Sequence, residues 1–189
     1  MGRAAGALGR DRLIALLRDR SVLHGDFVLA SGRRSSHYVD CRRTTMHAEG
    51  LALIGGLGLA AVRALGWVAD AVGGMTMGAD PVAYAIAMAS HADPPEVHGF
   101  TVRKTGKTHG AGRRIEGCFT EGARVVIVED VITTGGSALE AVRAVREEGG
   151  TVVGVLAVVD RDEGGRDAIA GDGLPVHALV SLGELVSRS

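Results

Sequence analysis

A short stretch of hydroxyl-bearing residues and glycines has the composition of a phosphate-binding turn. Thr-Thr-Gly-Gly-Ser, residues 133–137, lies between the apolar run Val125–Val128 and a helix-forming segment that starts at Ala138. Successive backbone N–H groups near a helix N-terminus form an anion site, and glycines let the backbone approach the anion closely. The stretch therefore predicts binding of a phosphate monoester. The same residues serve equally well as a turn in which Thr or Ser caps the helix.

Glu129 and Asp130 precede this turn and favour the phosphate interpretation. Two adjacent carboxylates at the end of a buried strand are costly unless they face water or a ligand. Because carboxylates accept hydrogen bonds from sugar hydroxyls, a phosphate turn beside two of them suits a sugar phosphate. The stretch has no Gly-Lys-Ser/Thr and no Gly-x-Gly-x-x-Gly, so it is neither a P-loop nor a dinucleotide fingerprint.

A second candidate segment holds the only two lysines of the chain. Lys104 and Lys107 stand against 21 Lys and Arg residues in total, and His109 follows them. The glycines at 106, 110, 112 and 117 indicate a mobile lid that can close over a bound ligand. The alternative is a solvated surface loop, which is what charged runs usually are.

Apolar periodicity predicts the elements that position these residues. Helices are predicted over 8–20, 47–65, 79–90 and 138–148, strands over 68–72, 97–103, 124–128 and 151–159, and a turn or hairpin within 27–40. The succession of strand, helix and strand at the end of this series indicates a βαβ unit and a parallel sheet. We therefore expect an α/β domain with helices on both faces of the sheet.

The polar residues that follow the predicted strands should meet at one edge of that sheet. They are Gly73-Gly74, Arg103 onward, Glu129-Asp130 and Asp160-Arg161. Ligands of open α/β sheets bind beyond the carboxyl ends of the strands. The sequence therefore predicts a small-molecule site along this edge.

Composition excludes several other classes of protein. A length of 189 residues suits one domain, and a formal charge of −1 gives no reason to expect a nucleic-acid or membrane partner. No segment holds eighteen uncharged apolar residues, so no membrane span is expected. Cys41 and Cys118 lack the spacing of a metal site and indicate reduced thiols in a cytoplasmic protein.

Three motifs together resemble one family. The stretch 129–137 resembles the signature of type I phosphoribosyltransferases, which bind 5-phosphoribosyl 1-pyrophosphate (PRPP). The segment 103–110 resembles the mobile catalytic loop of the orotate phosphoribosyltransferase family, and Val158–Gly165 resembles its Val-Asp-Arg segment. The likeness runs from about Phe27 to Gly165. It implies an open parallel sheet flanked by helices, with a small N-terminal hood from about 20–45.

The resemblance implies roles for individual residues. Lys107, His109 and Asp130 would be catalytic, and Thr133 and Arg161 would bind orotate. His109 would either donate to pyrophosphate or assist proton transfer. The implied PRPP-binding residues are Arg103, Lys104, Lys107, His109, Glu129, Asp130, Val131, Ile132, Thr133, Thr134, Gly135, Gly136 and Ser137.

For several residues an ordinary structural role is the alternative. Arg161 could instead form a surface salt bridge with Asp160 or Asp162. Residues Gly73 to Gly78 could offer backbone amides to pyrophosphate or form an ordinary turn. Phe27, Tyr38 and Arg42 could line the hood or serve only in packing.

The chain departs from the family pattern at two positions. Many members carry a lysine directly before the Ser-Gly found here at 31–32, where this chain has Ala30. Many also carry one in the pyrophosphate loop, where this chain has Gly78. Neither lysine contact can be transferred to this protein.

The implied reaction is the transfer of phosphoribose from PRPP to orotate, which yields orotidine 5′-monophosphate and pyrophosphate in pyrimidine biosynthesis. The implied cofactor is Mg²⁺, carried largely by PRPP near Glu129 and Asp130. The implied assembly is a homodimer in which lid residues 103–112 act in the neighbouring subunit's site. Two alternatives stay open: a phosphoribosyltransferase for another base, and a PRPP-sensing regulator without turnover.

Overall fold

The computed structural model describes residues 2–28, 34–104 and 114–187. In this part of the chain seven helices and eight strands follow one another in mixed order. They are α1 Gly2–Arg20, β1 Val22–Val28, β2 Arg34–Val39, α2 Arg42–Thr45, α3 Ala48–Ala64, β3 Ala71–Met75, α4 Ala79–Ala92, β4 His98–Val102, β5 Ile115–Gly117, β6 Arg124–Ile132, α5 Gly136–Glu147, β7 Thr151–Asp160, α6 Gly165–Gly171, β8 Val176–Ser181 and α7 Leu182–Val186.

Six strands form the main sheet in the order β5-β4-β3-β6-β7-β8. All neighbouring pairs are parallel except β4 with β5, which is antiparallel. The α/β class and the parallel central strands predicted from the sequence are therefore confirmed. The antiparallel edge strand β5 was not predicted, because three residues are too few to show a period.

Alternate residues of the central strands enter two apolar cores, one on each face of the sheet. Val126 and Val128 of β6 pack with α1, α3 and α4, whereas Val125 and Ile127 pack with α5 and α6. Burial on both faces explains why this strand is apolar throughout rather than alternating. The expectation of helices on both faces is confirmed.

Two strand boundaries differ from the predicted ones. The strand predicted at 68–72 is β3, which begins at Ala71 and includes Gly73 and Gly74. These two strand positions require glycine. A Cβ at Gly73 would collide with the carbonyl oxygen of Phe100, and a Cβ at Gly74 would collide with that of Val128. The strand predicted at 124–128 continues to Ile132, because Glu129, Val131 and Ile132 pair with β7 as the preceding apolar residues do.

Apolar periodicity predicted no helix or strand after β7, where the structure has α6, β8 and α7. These elements are short, and β8 is an edge strand that is only partly buried, which weakens its apolar signal. Within the predicted hood region, β1 and β2 pair as a separate antiparallel two-stranded sheet. A buried hydrogen bond of 2.7 Å between the Ser21 and Thr44 hydroxyls ties the base of this hairpin to α2.

No helix in the described part of the chain is both long enough and apolar enough to cross a membrane.

Helix α3 packs against α4 through its glycines, and two neighbouring ones have opposite surroundings. A Cβ on Gly55 would lie 2.5 Å from the Ala85 carbonyl oxygen, whereas a Cβ on Gly56 meets nothing within 4 Å. We predict that Gly56→Ala raises the free energy of unfolding by about 0.5–1 kcal/mol through helix propensity. Gly55→Ala should lower it by about 1–3 kcal/mol through overpacking. Urea unfolding of both variants tests this, and effects of the same sign would contradict the packing.

Candidate functional site

A cavity of about 1260 Å³ opens beyond the carboxyl ends of β3, β4, β6 and β7. Its far wall comes from the β1–β2 hairpin and the turn that follows it. The lining residues are Val28, Tyr38, Val39, Asp40, Cys41, Arg42, Thr76, Met77, Gly78, Thr101, Arg103, Lys104, Glu116, Asp130, Val131, Thr133, Thr134, Arg161 and Glu163. The structure thus brings polar residues from four strand ends to one place, as parallel pairing requires.

Strand β6 supplies the centre of the cavity wall. Asp130, Val131, Thr133 and Thr134 line the cavity, whereas the side chain of Ile132 is buried in the core beneath α5. Ile132 can therefore contribute to a ligand site only through its backbone, and its carbonyl already accepts a 3.0 Å bond from the Arg161 N–H.

The turn 133–137 leads directly into helix α5. Gly135 is the N-cap residue with φ of 81°, in the left-handed region that favours glycine, and no side chain caps the helix. The alternative in which Thr or Ser caps α5 is therefore contradicted. Gly135 is buried, while Gly136 and Ser137 are exposed at the start of the helix, next to the cavity-lining threonines. The free first-turn N–H groups and the uncapped turn suit an anion.

Glu129 is buried in β6, behind the cavity lining. Its side chain is 5% exposed, and among the described residues its Oε1 has no hydrogen-bond partner. Burial raises the pKa of Glu129 to about 8, and the neighbouring charge of Asp130 adds to the effect. A buried carboxyl group without a partner is costly, so a polar ligand that reaches it gains an acceptor.

Asp130 lies beside Glu129, faces the cavity and is only half-buried. Burial raises its pKa, while the 2.9 Å bond from the Val131 N–H and the charge of Arg42 oppose that rise. Arg42 reaches this region from the hood, where Asp40 also holds it at 2.9 Å. Helix α2, which follows the β1–β2 hairpin, and the main sheet are therefore electrostatically linked at Asp130.

Gly78 lines the cavity next to the side chain of Asp130. A Cβ at this position would lie 2.6 Å from Asp130 Oδ1 and 3.0 Å from its Cγ. Any larger residue here would require the Asp130 carboxylate to shift. Gly73 and Gly74, expected at the edge, lie inside β3; Thr76, Met77 and Gly78 line the cavity instead.

Arg103 and Lys104 line the opposite rim of the cavity. The Arg103 N–H donates to the Arg114 carbonyl at 2.9 Å, so the two ends of segment 105–113 lie side by side at this rim. Arg114 is itself anchored to Glu140 at 2.7 Å. Lys107 and His109, like Ala30 at the other departure, lie outside the described residues.

Arg161 follows β7 and is 7% exposed. Its NH2 group pairs with Glu163 Oε1 at 2.8 Å, and both side chains line the cavity. The alternative pairings with Asp160 or Asp162 are both wrong. Asp160 accepts bonds from Arg166 Nε at 3.1 Å and from the Asp162 backbone N–H at 2.9 Å.

The hairpin wall contributes Tyr38 and Cys41 to the cavity. Phe27 does not line it but packs on Tyr38 across the hairpin, with ring centroids 5.6 Å apart. Burial raises the pKa of the Cys41 thiol, and the charges of Asp130 and Asp40 add to it, so the thiol stays protonated and unreactive. Both cysteines are free.

Some lining residues had no signal in the sequence patterns. Thr101 lies within β4 and had none, whereas Thr76 belongs to the candidate turn 73–78 but was not singled out for its side chain. Both hydroxyls donate to Asp80 at the start of α4. Glu163 carried a weak signal, since it belongs to the polar segment after β7. Among the described residues, no group of three or more His, Cys, Asp or Glu side chains is arranged to hold a metal ion.

The fold and this cavity define a class of protein. An open parallel sheet with an uncapped glycine turn, paired carboxylates and basic residues at one edge is suited to a phosphorylated sugar. In agreement, residues 69–172 match the family described as the phosphoribosyl transferase domain.

Comparison with known proteins identifies one family within this class. The chain is 48% identical over 179 residues to the orotate phosphoribosyltransferase of Corynebacterium glutamicum, covering 95% of both chains. The solved structure of the Mycobacterium tuberculosis H37Rv orotate phosphoribosyltransferase in complex with Fe(III) dicitrate superposes with a TM-score of 0.84, at 46% identity, over 95% of this chain and 99% of that one. A structure of that enzyme in complex with PRPP gives 0.77 at 42% identity, over 94% and 91% of the two chains. The chain belongs to the orotate phosphoribosyltransferase family.

The buried carboxyl of Glu129 predicts a pH dependence of stability. Because its folded-state pKa of about 8 lies above the ordinary value of 4.5, the folded protein retains a proton that the unfolded chain loses between these values. The stability contributed by Glu129 is full below pH 4.5 and falls as pH rises towards 8, by up to about 1.4 kcal/mol per pH unit.

Urea unfolding of the wild type and of Glu129→Gln between pH 5.5 and 8 measures this effect. We expect the stability of the wild type to fall relative to that of the variant as pH rises, since Gln has no proton to lose. Glu147→Gln on the exposed face of α5 is the control and should run parallel to the wild type. A constant difference between Glu129→Gln and the wild type would show that Glu129 does not titrate in this range.

Proposed function

We propose that this protein transfers the 5-phosphoribosyl group of PRPP to orotate, releasing pyrophosphate and forming orotidine 5′-monophosphate (OMP) for pyrimidine biosynthesis. The observation that carries the proposal is the single cavity shared by the 133–134 turn, Asp130, Lys104 and Arg161. Membership of the orotate phosphoribosyltransferase family agrees with it.

The phosphate and the ribose are assigned to strand β6 and the turn after it. The turn 133–137 would receive the 5′-phosphate through its backbone N–H groups and hydroxyls. Asp130, with Glu129 behind it, would accept hydrogen bonds from the ribose hydroxyls. The cavity-facing carboxylate of Asp130 supports this assignment, and the Oε1 of Glu129 behind it is a second acceptor without a partner among the described residues.

The pyrophosphate is assigned to the rim formed by Arg103 and Lys104. It leaves with high negative charge while the ribose becomes cation-like, so the reaction needs fixed cations and exclusion of water. We propose that in a homodimer the lid 103–112 serves the neighbouring subunit's site, so that Lys107 and His109 of the neighbouring subunit's lid complete this group. Arg103 and Lys104 stand at the base of the lid and line the cavity of their own subunit. The adjacent anchoring of Arg103 and Arg114 at the cavity rim supports the lid.

The base is assigned to the end of β7. Arg161 would bind the orotate carboxylate through its guanidinium, and the Thr133 hydroxyl would contact the pyrimidine or its carboxylate. Both residues line the cavity, on adjacent strand ends. The ribose and the base would thus be held by neighbouring strands, with the reacting carbon between them.

Mg²⁺ is the proposed cofactor. The ion prefers phosphate oxygens and water, so it would be carried largely by PRPP, near Glu129 and Asp130. When bound with PRPP, the ion would neutralise part of the pyrophosphate charge. The two free cysteines support a reducing, cytoplasmic location.

Pyrophosphate release with PRPP, Mg²⁺ and a panel of bases tests the proposed function. We expect release with orotate and little with adenine, hypoxanthine or uracil. Release with a purine but not with orotate would point to a phosphoribosyltransferase for another base. PRPP binding without release for any base would point to a PRPP-sensing regulator.

The lid assignment predicts a separation between binding and turnover. Lys107→Ala should lower kcat about 100-fold while changing the Kd for PRPP little, because the lid acts mostly in the transition state. Steady-state kinetics and calorimetry measure the two quantities. Arg143→Ala, an exposed cation on α5, is the control and should change neither. Equal losses in kcat and PRPP affinity would contradict the assignment.

The shared-site assignment predicts complementation between two inactive variants. Mixing Lys107→Ala with Asp130→Asn subunits should restore part of the activity, because a hybrid dimer has one site with an intact lid and an intact Asp130. Native mass spectrometry verifies that hybrids form. Hybrids without recovered activity would show that each lid serves its own subunit.

A further inference from the structure

The ion pair between Arg161 and Glu163 is more buried than the Arg42–Asp40 and Arg103–Glu116 pairs that also line the cavity. Its atoms are 2.8 Å apart, and the two side chains are 7% and 14% exposed. The Arg103–Glu116 pair on the opposite rim spans 3.5 Å, with side chains 42% and 41% exposed. Exposed pairs contribute little energy, whereas a buried guanidinium depends on its partner. Glu163 is therefore the group that makes a buried Arg161 tolerable when the cavity holds no anion.

The backbone after β7 is shaped to bring Glu163 back to Arg161. Asp162 between them has φ of 55°, in the left-handed region that non-glycine residues seldom adopt. Its N–H donates to Asp160 Oδ1 at 2.9 Å, and Asp160 is 2% exposed and also held by Arg166. The buried Asp160 thus stabilises the turn that places the Glu163 carboxylate against the guanidinium.

The contact uses only one end of the Arg161 guanidinium. Glu163 approaches the NH2 group, while the enclosed Nε has no hydrogen-bond partner among the described residues. A guanidinium is a rigid planar fork, so fixing one nitrogen fixes the direction of all its donors. Without this contact, a long arginine side chain would spread over several rotamers and lose that entropy on binding a ligand. Glu163 therefore holds the arginine ready for a planar anion.

We infer that Glu163 is a positioning residue that sets the cavity's preference for a pyrimidine carrying a carboxylate, because it holds Arg161 in the orientation that binds that group. This inference rests on the proposed contact between Arg161 and the orotate carboxylate. It adds to that contact a second residue, which need not touch the substrate.

The test compares the binding of two nucleotides that differ only in the carboxylate. OMP and uridine 5′-monophosphate (UMP) share the phosphate, the ribose and the pyrimidine ring, and only OMP has the carboxylate. Calorimetry gives the Kd of each for the wild type, Glu163→Ala and Glu163→Gln. We expect Glu163→Ala to weaken OMP binding about tenfold and to leave UMP binding within about twofold. Glu163→Gln keeps an oxygen acceptor for the guanidinium and should recover most of the loss.

Arg161→Ala and the double variant Arg161→Ala/Glu163→Ala complete a double-mutant cycle on the Kd for OMP. If Glu163 acts through Arg161, its removal should cost nothing further once Arg161 is gone. Asp172→Asn is the matched control, since Asp172 forms a 2.6 Å pair with Arg146 away from the cavity lining. It should leave both affinities unchanged. Thermal unfolding of every variant shows whether it is folded. If Glu163→Ala is not, Glu163→Leu, which keeps the bulk of the side chain but has no oxygen acceptor for the guanidinium, takes its place in the test.

Several results would overturn the inference. Equal losses for OMP and UMP would indicate a general structural role for Glu163. Tighter OMP binding by Glu163→Ala would make Glu163 a competitor of the ligand carboxylate, and additive losses in the cycle would show that it acts independently of Arg161. Orotate turnover by the wild type is measured in parallel. Its absence contradicts the proposed function itself, whereas normal turnover with unaffected variants contradicts the inference alone.

Discussion

The backbone ladder between β6 and β7 is the constraint on which the site depends. It runs in parallel from Arg124 opposite Thr151 to Ile132 opposite Asp160, and the Arg161 N–H extends it by one more bond to the Ile132 carbonyl. Both strands are apolar for most of their length because both faces are covered. Their ends therefore emerge together at one edge, and the turn that suits a phosphate lies next to the arginine that suits a carboxylate.

The buried ionisable side chains at this edge differ in whether they have hydrogen-bond or ion-pair partners. Asp160 is satisfied by Arg166 and a backbone N–H, and Arg161 is paired with Glu163. Glu129 has no such partner among the described residues. Its pKa is raised because burial makes the charged form of the carboxyl group unfavourable. Compensated groups stabilise the framework of the cavity, whereas a buried carboxyl group without a partner lowers the free energy of unfolding.

Glycines set how closely the walls of the cavity approach one another. Gly73 and Gly74 let β3 lie against its neighbours, and Gly78 leaves room for the Asp130 carboxylate. The sequence showed these glycines but assigned the first two to a turn after the strand. Their surroundings could not be inferred from local pattern, because the atoms that exclude a Cβ come from residues far away in the chain. The same holds for Arg42, whose charge reaches Asp130 from the hood.

The sequence by itself determined the α/β class, the parallel pairing around β6 and most of the polar segments that meet at the cavity, because apolar period and turn composition are local properties. Only the tertiary structure decided which of those residues face the cavity. It buried the side chain of Ile132, turned Glu163 back onto Arg161 and placed Glu129 behind the lining. Burial and ion pairing depend on what surrounds a side chain in space, and that is decided only when the sheet, the helices and the turns have packed together.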